Sequence, residues 1–222
     1  MTAKELARYF DHTLLKAYAT EDDFRAFCAD CAKYEFAMAA INSVPVKFCK
    51  ELLKDTPVHV GAAIGFPLGQ TTIEIKVFET LNAIENGADE IDYVINITQL
   101  KAGNLDYIAK EMDAIVTPCR EKGILSKVIF ENCYLTEKEK LNMCAIAREV
   151  KPDFVKTSTG FGTGGATPEH VALMAKKASK KVKVKASGGI RTWADCKAML
   201  EAGAERIGAS AGVKILQEFN QQ

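Results

Sequence analysis

The chain has no excess of charge of either sign: 29 lysines and arginines stand against 29 aspartates and glutamates. That balance excludes the broad basic surface needed to hold nucleic acid or an anionic membrane, so any anionic partner must be met by local groups. No stretch approaches the ~20 apolar residues of a membrane span, and the first ten residues lack the apolar core of a signal peptide. The expected location is the cytoplasm. Histidine is scarce, and His12, His59 and His170 are isolated in sequence, so no metal cluster is indicated. The seven cysteines are odd in number and scattered through helical and strand patterns, which suits reduced thiols better than a disulfide framework. Cys28 and Cys31 do form a C-x-x-C, but inside a helical pattern and without a second pair, which favours helix packing over zinc or redox chemistry. No linker, low-complexity tract or shift in composition divides the chain. One domain spanning residues 1–222 is expected.

What is present is a regular alternation. Strand patterns cover 10–14, 36–42, 58–64, 90–96, 126–131, 154–159, 182–187 and 206–210. Between them fall helical patterns: one capped by Thr20 with Asp23 three positions on, one over 46–54, one over 72–86 stopped by Gly87, and one over 105–121 ended by Gly123, with Pro118 a point of interruption. Further helices follow Thr136, Pro168 and Thr192, and a last one closes the chain. Eight strand–helix units in about 220 residues fit an α/β, single-domain (β/α)8 TIM barrel better than a doubly wound sheet. In such barrels the chemistry sits at the C-terminal strand ends, which here supply Asp11, Asn42, Asp92, Glu131, Lys156, Lys185 and Ser210.

Two of these ends are unusual. Phe154-Val155-Lys156-Thr157-Ser158-Thr159-Gly160 puts a lysine in an apolar strand and follows it with small residues, and Val182-Lys183-Val184-Lys185-Ala186-Ser187-Gly188-Gly189 repeats the feature. A lone lysine of this kind ordinarily snorkels to water from a strand end. If the two strands are neighbours, the two lysines can point into one cavity, where Lys185 as a cation drives Lys156 towards the neutral amine. Two ammonium groups ~5 Å apart at an effective dielectric of ~20 repel by ~3 kcal/mol, about two pK units. That brings a lysine near ~10.4 down to ~8, and burial lowers it further. A neutral lysine amine is a nucleophile for carbonyls.

Five segments in order carry a family resemblance: Asp11-His12-Thr13-Leu14-Leu15-Lys16, Gly65-Phe66-Pro67-Leu68-Gly69, Gly87-Ala88-Asp89-Glu90-Ile91-Asp92, Val155-Lys156-Thr157-Ser158-Thr159-Gly160-Phe161 and Val184-Lys185-Ala186-Ser187-Gly188-Gly189-Ile190-Arg191-Thr192. Together they resemble the deoxyribose-phosphate aldolase family of class I aldolases. The resemblance implies that Lys156 forms an imine with the substrate aldehyde, that Lys185 lowers its pKa, and that Asp92 works with Lys185 and water in proton transfer. A buried structural ion pair is the other reading of Asp92. The implied substrate is a small phosphorylated aldehyde, with no cofactor and no metal, and the implied assembly is a homodimer. Asp11, Thr13 and Asn42 are the candidates to hold substrate hydroxyls. Gly160, Gly188, Gly189, Gly208 and Ser210 are the candidates for the phosphate, since backbone N–H groups after the last strands suit an anion, and Arg191 either assists or sits on the surface.

Three positions depart from the family's pattern. Ala40-Ile41-Asn42-Ser43 stands where many relatives have Cys-Val-Asn-Pro, Ala211 stands where a second serine is common, and the tail Phe219-Asn220-Gln221-Gln222 lacks the C-terminal tyrosine of some relatives. Two other readings stay open on the residues alone. A phosphosugar isomerase or other lyase would share the glycine sites without forming an imine, and a silent sugar-phosphate-binding barrel would leave Lys156 with an ordinary pKa.

Overall fold

A computed structural model describes residues 1–221; Gln222, named above for the tail, lies outside the described residues. Eight parallel strands close a barrel in sequence order: β1 (Phe10–Leu14), β2 (Met38–Asn42), β3 (His59–Ile64), β4 (Glu90–Val94), β5 (Leu125–Ile129), β6 (Phe154–Lys156), β7 (Lys183–Ser187) and β8 (Arg206–Ala209), with β8 pairing back onto β1. The surrounding helices are α1 (Ala3–Ala7), α2 (Glu21–Tyr34), α3 (Val46–Leu53), α4 (Ile73–Glu85), α5 (Ile97–Lys101), α6 (Leu105–Glu121), α7 (Glu137–Val150), α8 (Pro168–Lys177), α9 (Trp193–Glu201) and α10 (Gly212–Phe219). The TIM-barrel expectation therefore holds. None of the described helices is long and apolar enough to cross a membrane.

Local chemistry sets where the helices begin. Thr20, Thr136 and Thr192 each accept from the backbone N–H three residues on, while Asp23, Glu139 and Asp195 return the bond to the cap, so each start satisfies two orphan donors. The Pro118 interruption does not occur. Pro118 lies in the last turn of α6, where its missing N–H removes one bond of a ladder about to end, and the helix runs through it to Glu121. Cys28 and Cys31 lie on the buried face of α2. Helices α1 and α5 and a 3₁₀ turn at Asn132–Tyr134 were not anticipated; five or fewer residues are too few to show a helical period.

Alternation along the strands sorts the side chains into two layers. Ile41, Val60, Ile91, Tyr93, Val128, Val155, Val184 and Ile207 face outward into one apolar core shared with the helices. The inward set is different in kind. Barrel interiors are normally filled by branched apolar residues, but here register places Asp92 beside Lys127, Lys156 beside Lys185, and Lys185 beside Arg206. Met38 is buried, and Gly61 makes room for it: a Cβ there would stand 2.2 Å from the Met38 sulfur.

Candidate active site

The interior charges form a closed ring of alternating sign. Asp92 Oδ2 accepts from Lys185 Nζ at 2.7 Å, Lys185 stands 2.5 Å from Asp11 Oδ2, and Asp11 Oδ1 accepts from Arg206 at 2.5 Å. Arg206 reaches Glu90 at 3.3 Å, Glu90 pairs with Lys127, and Lys127 returns to Asp92 Oδ1 at 2.7 Å. His59 Nδ1 also stands 2.8 Å from Glu90. The Lys185–Asp11 contact is one of charge, since its angle is poor for a hydrogen bond. These six side chains are three carboxylates and three cations, so the ring closes electrically as well as geometrically. Such pairing is what allows charges to stand in a barrel interior at all.

Lys156 is the seventh. At the end of β6 and 4% exposed, its Nζ donates to Asp92 Oδ2 at 2.8 Å, on an oxygen already shared with Lys185. It is thus the cation in excess of the ring's balance. Its pKa is lowered to about 8, with burial the largest cause; Asp92 pulls the other way and the charge of Lys185 lowers it again. Desolvation leads and the repulsion from Lys185 is secondary, whereas the sequence reading puts the repulsion first. Burial alone would raise the Asp92 carboxyl, yet Lys127, Lys156 and Lys185 together hold it well below the usual carboxylate range. For Lys127, burial lowers the pKa, but Asp92, Glu90 and Asp11 outweigh it and the net shift is upward.

Both Lys156 and Lys185 line a cavity of about 600 Å³ at the C-terminal end of the barrel. Thr13 and all five anion candidates, Gly160, Gly188, Gly189, Gly208 and Ser210, line it as well, as does Arg191. Gly160, Gly188 and Gly189 have φ of 88°, 83° and 80°, backbone that a side chain rarely tolerates. Gly208 has a second role: a Cβ there would stand 3.0 Å from Lys185 Cε, so the missing side chain leaves a channel for the lysine stem. Two other candidates, Asp11 and Asn42, do not line the cavity. Asp11 is fully buried on the second residue of β1, held by Lys185 and Arg206 in the charge ring. Asn42 is half-buried, lies outside the cavity lining, and turns its amide to the Leu15 carbonyl at 3.5 Å. Sequence reasoning missed Lys127, Glu90 and Arg206. Their signal was present: Lys127 also interrupts an apolar strand, and Glu90 shares the strand face of Asp92 by period two.

A parallel eight-stranded barrel holding a buried lysine of lowered pKa at a strand end, beside a second lysine and a carboxylate, has the arrangement of an amine-nucleophile enzyme of the class I aldolase type. Residues 6–218 match the DeoC/LacD family aldolase, and the chain belongs to that family. It is 59% identical over 216 residues to the deoxyribose-phosphate aldolase of Lactobacillus acidophilus, covering 97% of this chain and 91% of the relative. To that of Thermococcus gammatolerans it is 51% identical over 219 residues, covering 98% and 97%. Among solved structures, a deoxyribose phosphate aldolase from Aeropyrum pernix, described as having a unique tetrameric structure, superimposes with a TM-score of 0.92 at 34% identity, covering 99% of this chain and 92% of that one.

Proposed function

We propose that the protein reversibly cleaves 2-deoxy-D-ribose 5-phosphate to acetaldehyde and D-glyceraldehyde 3-phosphate, with Lys156 as the Schiff-base nucleophile. The observation that carries this reading is Lys156 itself: a buried amine in excess of a balanced charge ring, opening on a cavity rimmed by glycines. The neutral amine attacks the aldehyde carbon of the open-chain sugar, and loss of water gives an iminium ion. A base removes the C3 hydroxyl proton, the C2–C3 electrons move to form the enamine, and glyceraldehyde 3-phosphate leaves. Protonation of the enamine at C2 and hydrolysis release acetaldehyde and regenerate the amine.

Asp92 and Lys185 serve the proton steps with water. A carboxylate whose basicity is depressed by three lysines passes a proton on rather than keeping it, and its charge beside Nζ stabilises the iminium cation. Thr13, which lines the cavity, is the residue we assign to substrate hydroxyls, while Asp11 acts by holding Lys185. For the phosphate, we assign the cavity-lining glycines Gly160, Gly188 and Gly189, whose positive φ no ordinary side chain favours, with Gly208 and Ser210, which lead into α10, whose cap Ala211 offers no side chain to its first N–H groups. The seven unpaired cysteines support a reducing, cytoplasmic setting. A homodimer is the assembly we propose, and light scattering distinguishes it from a tetramer.

Borohydride reduction in the presence of 2-deoxyribose 5-phosphate or acetaldehyde, followed by peptide mapping, tests the chemistry. The adduct is expected on Lys156 and absent from Lys156→Ala. Bound substrate with no adduct on any lysine would overturn the reading.

A further inference from the structure

Glu131 belongs neither to the charge ring nor to the cavity lining, yet it is 2% exposed and sits in a left-handed conformation, φ 57° and ψ 61°, that is costly for a glutamate. Its carboxylate receives one loop. The Thr159 backbone N–H lies 3.3 Å from both of its oxygens, the Thr159 hydroxyl makes a very short bond to Oε2, and the Cys133 thiol lies 3.8 Å from Oε1. The Thr159 hydroxyl in turn accepts from the Phe161 N–H at 3.0 Å, so donors on both sides of Gly160 are tied, directly or through one hydroxyl, to Glu131. The loop is seated closely on this anchor: a Cβ on Gly162 would stand 2.7 Å from Cys133 Sγ and 3.1 Å from the Glu131 carboxyl carbon. Beyond it the loop meets the strand that carries Lys185. Ala166 N–H donates to the Ser187 and Gly188 carbonyls at 3.0 Å, and a Cβ on Gly165 would collide with the Gly188 carbonyl at 2.2 Å.

We infer that Glu131 is a positioning residue for anion recognition: it fixes the 159–165 loop so that Gly160 packs against Gly188, a Cβ on Gly188 standing 3.4 Å from the Gly160 Cα, and the two turns form one continuous edge of the cavity for a phosphate group. The inference rests on the phosphate role proposed above for these glycines. Glu131 touches no reacting atom in this arrangement. Lys156 is held by Asp92 and by β6, whose pairing with β7 continues past the strand through Thr157 N–H to the Lys185 carbonyl at 3.1 Å, without help from Glu131. Loss of Glu131 therefore separates anion binding from imine formation.

The test uses the full chain and two readouts. The affinity for inorganic phosphate is measured by titration without any aldehyde, and the rate of borohydride-trapped adduct formation is measured with acetaldehyde, which carries no phosphate. Glu131→Gln keeps the shape but weakens a charge-assisted anchor, and is expected to lower phosphate affinity about tenfold while leaving acetaldehyde trapping within about twofold. Thr159→Val approaches the same contact from its other partner and is expected to lose about as much, with the double variant no worse than either single one because both remove one interaction. Thr159→Ser, which keeps the hydroxyl, is expected to restore phosphate affinity. Unchanged phosphate affinity in both Glu131→Gln and Thr159→Val overturns the inference, as does an equal loss in both readouts, which would make Glu131 a general support of the barrel mouth. Should the unsubstituted protein trap no acetaldehyde, the aldolase reading fails alone, and the phosphate titrations still decide the role of Glu131.

Discussion

Two groups of buried charges flank β4, one on each face, and they differ in charge balance and in access. On the outer side Lys76 and Glu111 pair at 2.6 Å with both side chains fully buried; Lys76 also donates to the Val94 carbonyl at 2.7 Å, and Glu111 accepts from Asn96 N–H at 2.9 Å. One cation meets one anion, and each spends its remaining capacity on the backbone where β4 ends. On the inner side four cations meet three carboxylates, and the cation with one shared partner, Lys156, opens on a cavity. Burial lowers the pKa of Lys76 as it lowers that of Lys156, while Glu111 opposes the fall. A depressed lysine is therefore no mark of catalysis by itself. What distinguishes the inner lysine is that its charge exceeds the local balance and that a substrate can reach it.

The sharpest way to break this contrast is to change the inner balance. Lys185→Met removes one cation that depresses Lys156 and leaves Asp92 with one partner fewer. The sign follows from the causes: with a lowering charge gone and the raising carboxylate kept, the Lys156 pKa moves upward from about 8. In the unsubstituted protein, adduct formation with acetaldehyde is expected to fall about tenfold per pH unit below that midpoint, because only the amine reacts. In Lys185→Met the midpoint is expected at higher pH and cleavage at neutral pH about a thousandfold slower, through loss of amine and of the proton route together. A midpoint unmoved or lowered would mean that burial alone sets the Lys156 pKa.

Breaking the outer pair should act on stability and spare the chemistry. Lys76→Met leaves Glu111 as an uncompensated buried charge and is expected to cost about 3 kcal/mol or more in chemical denaturation. The double variant Lys76→Met with Glu111→Leu should recover much of that loss, since two apolar groups of similar size demand no pairing. Neither should shift the pH midpoint of acetaldehyde trapping. A shift of a full unit would show that the two charge groups communicate through β4 and that the contrast drawn here is too strict.

The two sides were unequally legible in the sequence. Lys156 and Lys185 stood out because each interrupts an apolar strand just before small residues, and the Thr-x-x-acid caps marked helix starts to within a residue of Glu21, Glu137 and Trp193. The alternating period also predicts that Glu90 and Asp92 share a face. What no linear pattern carries is which groups meet across the barrel. Asp11 reads as a mouth residue, but its side chain is taken up by Lys185 and Arg206 in the charge ring and does not line the cavity. The position depends on how eight strands close, a property of the whole barrel and not of any segment. Lys76 and Glu111 were illegible for a related reason: each lies in a helix rich in charged residues, and only packing shows that these two face inward.

Tyr93 lies between the two groups and gives the smallest effect. It follows Asp92 on β4, so it points to the outer layer, where it is fully buried and its hydroxyl has no hydrogen-bond partner. Burial and the negative field of Glu111 both push its pKa up, so the phenol stays neutral. An unpaired buried hydroxyl costs more to dehydrate than it returns in packing, so Tyr93→Phe is expected to leave stability unchanged or raise it by about 1 kcal/mol. Acetaldehyde trapping and its pH midpoint should stay the same, because removing a neutral outer group changes neither the charge balance of the ring nor access to Lys156. A marked loss of stability would instead show that the hydroxyl is satisfied in solution, most simply by a water held between β4 and the Glu111 helix. The outer layer would then be polar in the same sense as the inner one, and the difference between them would reduce to the one uncompensated lysine.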